Sequence, residues 1–171
     1  MNRRKIILWV PVILLLVAAI YMFPEPKLPE GAEVDKILVD KSGRKLMLYN
    51  DGRLLKSYRI SIGKNLVGPK QYQGDRKTPE GIYKIDSKNP NSKYFRNLGI
   101  SYPNSNDVKN AKRAGKSPGG DIKIHGYRNN SALAHLNIKY PWTLGCIALT
   151  NKDMDELFEV IKIGTRIEIV P

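Results

Sequence analysis

The sequence predicts a mainly β domain carried behind a hydrophobic N-terminal segment. Three observations predict it. Short apolar runs separated by glycine-bearing turns fill the first half, a further run ends in a histidine, and a terminal strand follows one amphipathic helix. The 171 residues, 42% of them hydrophobic, suffice for one core with an appendage and leave no room for a second domain.

The appendage comes first. Ile6 to Phe23 is an apolar run without a charge, preceded by Arg3, Arg4 and Lys5, the pattern of a membrane segment whose amino end stays inside the cell. The run ends in bulky Ile20, Tyr21, Met22 and Phe23, whereas a cleaved signal peptide ends in small residues, so residues 1–23 read as an uncleaved transmembrane anchor; cleavage would make the protein secreted. Three prolines, Pro24, Pro26 and Pro29, mark residues 24–32 as a semi-rigid spacer. Residues 33–171 form the folded domain, expected on the extracytoplasmic side of the membrane.

That domain opens as an antiparallel meander. Val34–Asp40, Lys45–Tyr49 and Leu54–Ile62 are apolar-rich, and the turns Lys41-Ser42-Gly43 and Asn50-Asp51-Gly52 divide them. A polar stretch follows, with turn chemistry at Gly74 to Gly81, and then a strand over Gly81–Asp86. Asn89-Pro90-Asn91-Ser92 reads as a turn, Leu98–Tyr102 as a short strand, and Asp107–Ala114 as a basic helix with Asp107 near its start. In Asp121–His125, alternation sets Ile122 and Ile124 on one face and Asp121, Lys123 and His125 on the other. Tyr127 to Trp142 lacks a period and reads as a long loop with a short helix near Ser131–Leu136; loops of that length tend to be functional. Asn151 is the expected cap of a helix that buries Met154, Leu157, Phe158 and Ile161, with Asp153, Asp155 and Glu156 near its positive end. Gly164 stops it before the last strand, Thr165–Val170.

A formal charge of +13 favours an anionic partner, which could be lipid, nucleic acid or an acidic cell-wall polymer. Few aromatics, no recognition motif and an export segment speak against nucleic acid. Two histidines and one cysteine without close ligand spacing give no metal site, and no cofactor is expected.

Cys146 is the only cysteine, in a domain destined for a compartment where disulfides form, so it is either a small buried hydrophobe or a reactive thiol. As a nucleophile it needs a base and donors for an oxyanion. Gly145, directly before it, lets a substrate approach the backbone and could add its N–H to that of Cys146. His125, at a strand end, is either the base or a hydrogen-bonded structural residue. His135, among Ala132, Leu133, Ala134 and Leu136, reads as structural or substrate-lining.

Three motifs in order, Gly74-Asp75-Arg76-Lys77-Thr78-Pro79-Glu80-Gly81-Ile82-Tyr83, Ile124-His125-Gly126 and Trp142-Thr143-Leu144-Gly145-Cys146-Ile147-Ala148-Leu149-Thr150-Asn151, resemble the L,D-transpeptidase catalytic domain (YkuD) family from about Asp35 to Val170. The resemblance implies a β-sandwich with the C-terminal helix packed on the sheet. It also implies acyl transfer on peptidoglycan stem peptides: Cys146 attacks the carbonyl of the third stem residue, His125 serves as base and then acid, and a thioester passes to an amine, giving a 3-3 cross-link, or to water. By the same resemblance Gly145 and the Cys146 amide form the oxyanion hole, and Gly126, Tyr127, Trp142 and Thr143 contact substrate. Many members carry His and Arg where this chain has Leu144 and Ala148. With that Arg absent, Lys123, Arg128 and Lys139 are the candidates to hold substrate carboxylates.

Overall fold

The computed structural model describes residues 12, 15, 27–29, 31–129 and 140–171. It holds β1 (Lys36–Asp40), β2 (Lys45–Asn50), β3 (Arg53–Arg59), β4 (Gly81–Ser92), β5 (Phe95–Ile100), α1 (Ser105–Arg113), β6 (Lys123–His125), β7 (Ile147–Ala148), α2 (Asn151–Val160) and β8 (Arg166–Val170). The mainly β expectation is met.

The meander forms for the local reasons its sequence supplies. Asp51 and Gly52 adopt φ of 48° and 75°, the two positive values of the tight turn whose twist matches the flanking strands. Asp40 closes the preceding turn by accepting from Gly43 N at 2.7 Å and Ser42 Oγ at 2.8 Å. Alternation then buries Ile37 and Val39 from β1 with Leu46 and Leu48 from β2.

The strands lie in the order β3-β2-β1-β8-β4-β5-β6-β7. The two halves expected as a sandwich are therefore parts of one sheet. β4 carries the chain between them: its first residues, Gly81–Lys84, pair with β8, while Ile85–Ser92 pair with β5. Register shifts at Ile85/Ser87 and Asn89/Ser92 bend it. β4 thus runs through the Asn89-Pro90-Asn91-Ser92 segment that reads as a turn, because a bulge tolerates the proline and the exposed overhang needs no apolar face. Isolated bridges join the segment after β3 to β7 at Ser61↔Ala148 and to the turn before it at Gly63↔Thr143, so the two ends of the sheet meet. One core cluster gathers Ile37 and Leu46 from one half with Leu98, Ile124 and Ile147 from the other.

Both helices start differently from expectation. α1 begins at Ser105 because Asn104 caps it, accepting from Asn106 N and Asp107 N, while Asp107 Oδ2 accepts from Asn104 N at 2.8 Å. α2 is capped by Thr150, whose Oγ1 accepts from Asp153 N at 3.1 Å, and not by Asn151. The Asn151 side chain is turned to the loop after β6, accepting from Tyr127 N at 2.8 Å. Met154, Leu157 and Ile161 are fully buried in the core, so the C-terminal helix packs on the sheet as expected.

The anchor expected over 1–23 falls almost wholly outside the described residues; among those described, no helix is long and apolar enough to cross a membrane. The helix expected near Ser131–Leu136 also lies outside them. Of the spacer, Leu28 packs on the domain and its N–H donates to Glu156 Oε1 at 2.7 Å, so that part is docked.

Leu157→Ala should destabilise the domain by about 2–5 kcal/mol, because a cavity replaces a fully buried side chain. Urea unfolding of the variant against the parent measures it.

Candidate active site

β6 and β7 pair in parallel, with Ile124 opposite Ile147 and His125 opposite Ala148. Ile124 and Ile147 are both fully buried in the core. By alternation their neighbours Lys123, His125 and Cys146 belong to the other face, and there a cleft of about 660 Å³ opens. Cys146, His125, Lys123, Tyr94, Trp142 and Thr143 are among its walls. A strand pair thus carries residues 21 positions apart into one cleft.

His125 is 6% exposed. Its Nδ1 lies 2.7 Å from Gly126 O. A carbonyl only accepts, so Nδ1 carries the hydrogen and the neutral ring keeps its lone pair on Nε2. Burial depresses the imidazole pKa, the Gly126 bond opposes this, and Lys123 adds to the depression. Tyr94 lies against the ring at 4.7 Å between centroids and Trp142 meets it edge-on at 5.7 Å, which fixes its plane.

The Cys146 thiol donates to Asp121 O at 3.7 Å. Burial pushes its pKa up; Lys123 and Lys70 pull it down and Asp121 opposes them, with burial dominant. A buried neutral imidazole and a half-buried, uncharged thiol thus line the same cleft, a residue pair able to support proton transfer and nucleophilic attack.

Thr143 shapes the turn that presents the thiol. Its Oγ1 donates to Cys146 O at 2.6 Å and accepts from Gly145 N at 3.2 Å. The Gly145 N–H, expected at the oxyanion, is thereby engaged inside the turn. What Gly145 supplies is backbone freedom: its φ is +136°, and a Cβ there would stand 2.7 Å from Lys77 O.

Of the residues expected to contact substrate, Trp142 and Thr143 line the cleft. Gly126 and Tyr127 are not among its walls. The Gly126 N–H is shared between Tyr94 O and Arg96 O, and a Cβ would meet Asn151 Oδ1 at 2.6 Å, so this glycine serves close packing. Tyr127 is buried beside Asn151. Among the candidate cations Lys123 is in the cleft, ion-paired to Asp121 at 2.6 Å; Arg128 is exposed away from it, and Lys139, like His135, lies outside the described residues. Leu144 is 70% exposed at the rim, whereas Ala148 is fully buried between strands.

Tyr94, Asn97 and Asp121 are cleft residues that sequence reasoning missed as such. Asn97 is opposite His125 in the β5–β6 register, a relation that only the pairing reveals. Cys146 also borders a second cleft of about 550 Å³, walled by Lys70, Gln73, Arg76 and Gly120.

Comparison with known proteins agrees with this geometry. The L,D-transpeptidase catalytic domain family (YkuD) matches residues 35–169. YafK of Escherichia coli (strain K12), whose name assigns it provisionally to the L,D-transpeptidases, is 32% identical over 131 residues, 73% of this chain and 46% of that protein. The chain therefore spans about half the length of that curated relative. Among solved structures, the helical cell shape determining protein Pgp2 from Campylobacter jejuni superposes with a TM-score of 0.59 at 32% identity, over 80% of this chain and 47% of that one. An L,D-transpeptidase from Mycobacterium smegmatis, 16% identical with a TM-score of 0.54 over 82% of this chain and 60% of that one, shares the fold. With the match covering the sheet, both helices and the cleft, the chain belongs to the L,D-transpeptidase catalytic domain (YkuD) family.

Proposed function

We propose that the protein transfers acyl groups on peptidoglycan stem peptides through a Cys146 thioester, with His125 as the proton carrier. The observation that carries this reading is the cleft shared by Cys146 and a neutral His125 whose Nδ1 is already engaged. Family membership, and the cell-shape role in the name of Pgp2, support a cell-wall substrate.

In the first step His125 Nε2 takes the thiol proton while sulfur bonds to the carbonyl carbon of the third stem residue. The negative charge moves to the carbonyl oxygen, for which the Cys146 amide is the donor. Collapse breaks the bond to the terminal D-residue, whose nitrogen leaves with the proton from His125. An acceptor amine then attacks the thioester, gives a proton to His125 and restores the thiol, forming a 3-3 cross-link. With water as the acceptor the same residues give an L,D-carboxypeptidase. Lys123 is the cation for a substrate carboxylate: its present partner Asp121 has a side chain 81% exposed, which an incoming carboxylate can replace. Residues 1–23 as anchor and 24–32 as spacer would hold the domain on the wall side of the membrane.

Cys146→Ala should abolish turnover of a defined tetrapeptide donor while leaving the circular dichroism spectrum unchanged. Weighing the products with and without an acceptor amine separates transfer from hydrolysis; normal turnover in the variant would overturn the cysteine mechanism, whereas no turnover and no thioester mass in the parent would leave only a wall-binding role. Lys123→Met should raise KM roughly tenfold, the loss of one charge-assisted hydrogen bond to the substrate carboxylate. Because burial keeps His125 neutral, the acid limb of kcat/KM should fall below the ordinary histidine range. A limb at or above that range would contradict the neutral-pair mechanism.

A further inference from the structure

The loop from Lys70 to Thr78 walls the second cleft that Cys146 borders, and a buried ion pair organises it. Lys70 and Asp75 each have side chains 4% exposed and meet at 2.9 Å. The Lys70 ammonium also donates to Tyr72 O at 3.1 Å. Asp75 accepts from Gln71 N at 2.6 Å and Tyr72 N at 3.2 Å through one oxygen, and from Lys77 N at 3.1 Å through the other. Burial raises the carboxyl pKa, but these donors outweigh it and hold the group ionised. Breaking such a pair would leave a buried charge uncompensated.

The node fixes three contacts that bear on Cys146. Lys77 O lies against Gly145, where a Cβ would come within 2.7 Å. Thr78 Oγ1 accepts from Gly63 N at 3.0 Å, next to the bridge that ties Gly63 to Thr143. Asp75 O accepts from Asn65 Nδ2 at 2.6 Å. The turn itself contains Arg76 at φ 60°, a value unfavourable for a side-chain-bearing residue, so it needs such an anchor. Lys70 then faces the second cleft together with Cys146.

We propose that Lys70 is a positioning residue for Cys146, locking this loop onto Gly145 through Asp75 and setting a fixed positive charge across the second cleft from the sulfur. The role rests on Cys146 being the nucleophile. Of the charged groups around the sulfur, Lys123 acts in the same sense as Lys70, Asp121 in the opposite sense, Arg76 is a further cation on the wall of the second cleft, and His125 is neutral.

The sole cysteine of the full-length chain can be followed by its alkylation with iodoacetamide as a function of pH, a readout that requires no stem peptide. Failure to turn over peptide and failure of this proposal are therefore distinguishable. Lys70→Met should move the midpoint to higher pH by roughly half a unit or more, and Lys70→Arg should restore it. Asp75→Asn removes the counter-charge but keeps the cation, so it should move the midpoint to lower pH even as the melting temperature falls. Non-specific damage would move both variants the same way. An unchanged midpoint in folded Lys70→Met overturns the proposal. Should that variant not fold, Asp75→Asn decides alone, a midpoint equal to or above the parent's overturning it.

Discussion

Ala148 is held from both sides by backbone. It exchanges two 2.8 Å hydrogen bonds with Ser61, and on its other edge it is opposite His125 in the parallel pairing of β6 with β7. A strand of two residues would not persist alone; here it is wedged where the two ends of the sheet meet. Cys146 stands immediately before that strand. Its position relative to His125 is therefore set by main-chain register, and a slip by one residue would turn the thiol to the opposite face. Ala148 itself is fully buried in this wedge.

Around this frame the site is built by burial more than by pairing of charges. Desolvation acts on both partners toward the uncharged form, lowering the histidine pKa and raising that of the thiol. The cations Lys123 and Lys70 favour charge on sulfur and disfavour it on a ring, so they work with burial at His125 and against it at Cys146. Each cation has its own carboxylate, an exposed one at Asp121 and a buried one at Asp75. The exposed pair is the exchangeable one, and the buried pair belongs to the scaffold.

Much of the domain was legible locally. The Asp51-Gly52 hairpin, the alternation in β1, β2 and β8, and the Met154, Leu157 and Ile161 positions of the buried stripe follow from turn chemistry and period and are found where their residues place them, while Phe158, expected in that stripe, is only half-buried. Other features turned on competition between partners that no local window contains. Asn151 has the chemistry of a cap, but Tyr127 N claims its oxygen and Thr150 caps in its stead. The Gly145 N–H has the chemistry of an oxyanion donor, but Thr143 Oγ1 takes it. Tyr94 lies in a polar stretch without a period, so nothing nearby in sequence marks it as the ring that holds His125.

Sequence alone determined the chemistry on offer: one thiol behind a glycine, a histidine ending a strand, and an apolar pattern that makes strands of most of the domain. These are properties of residue type and short spacing, which survive in any window of the chain. Tertiary structure alone decided that the sheet is continuous and joined at its ends, that Cys146 borders two clefts, and that Lys70 with Asp75 stands behind it. Those outcomes depend on pairings between residues separated by tens of positions, whose free energy comes from shared burial and register and is carried by no segment by itself.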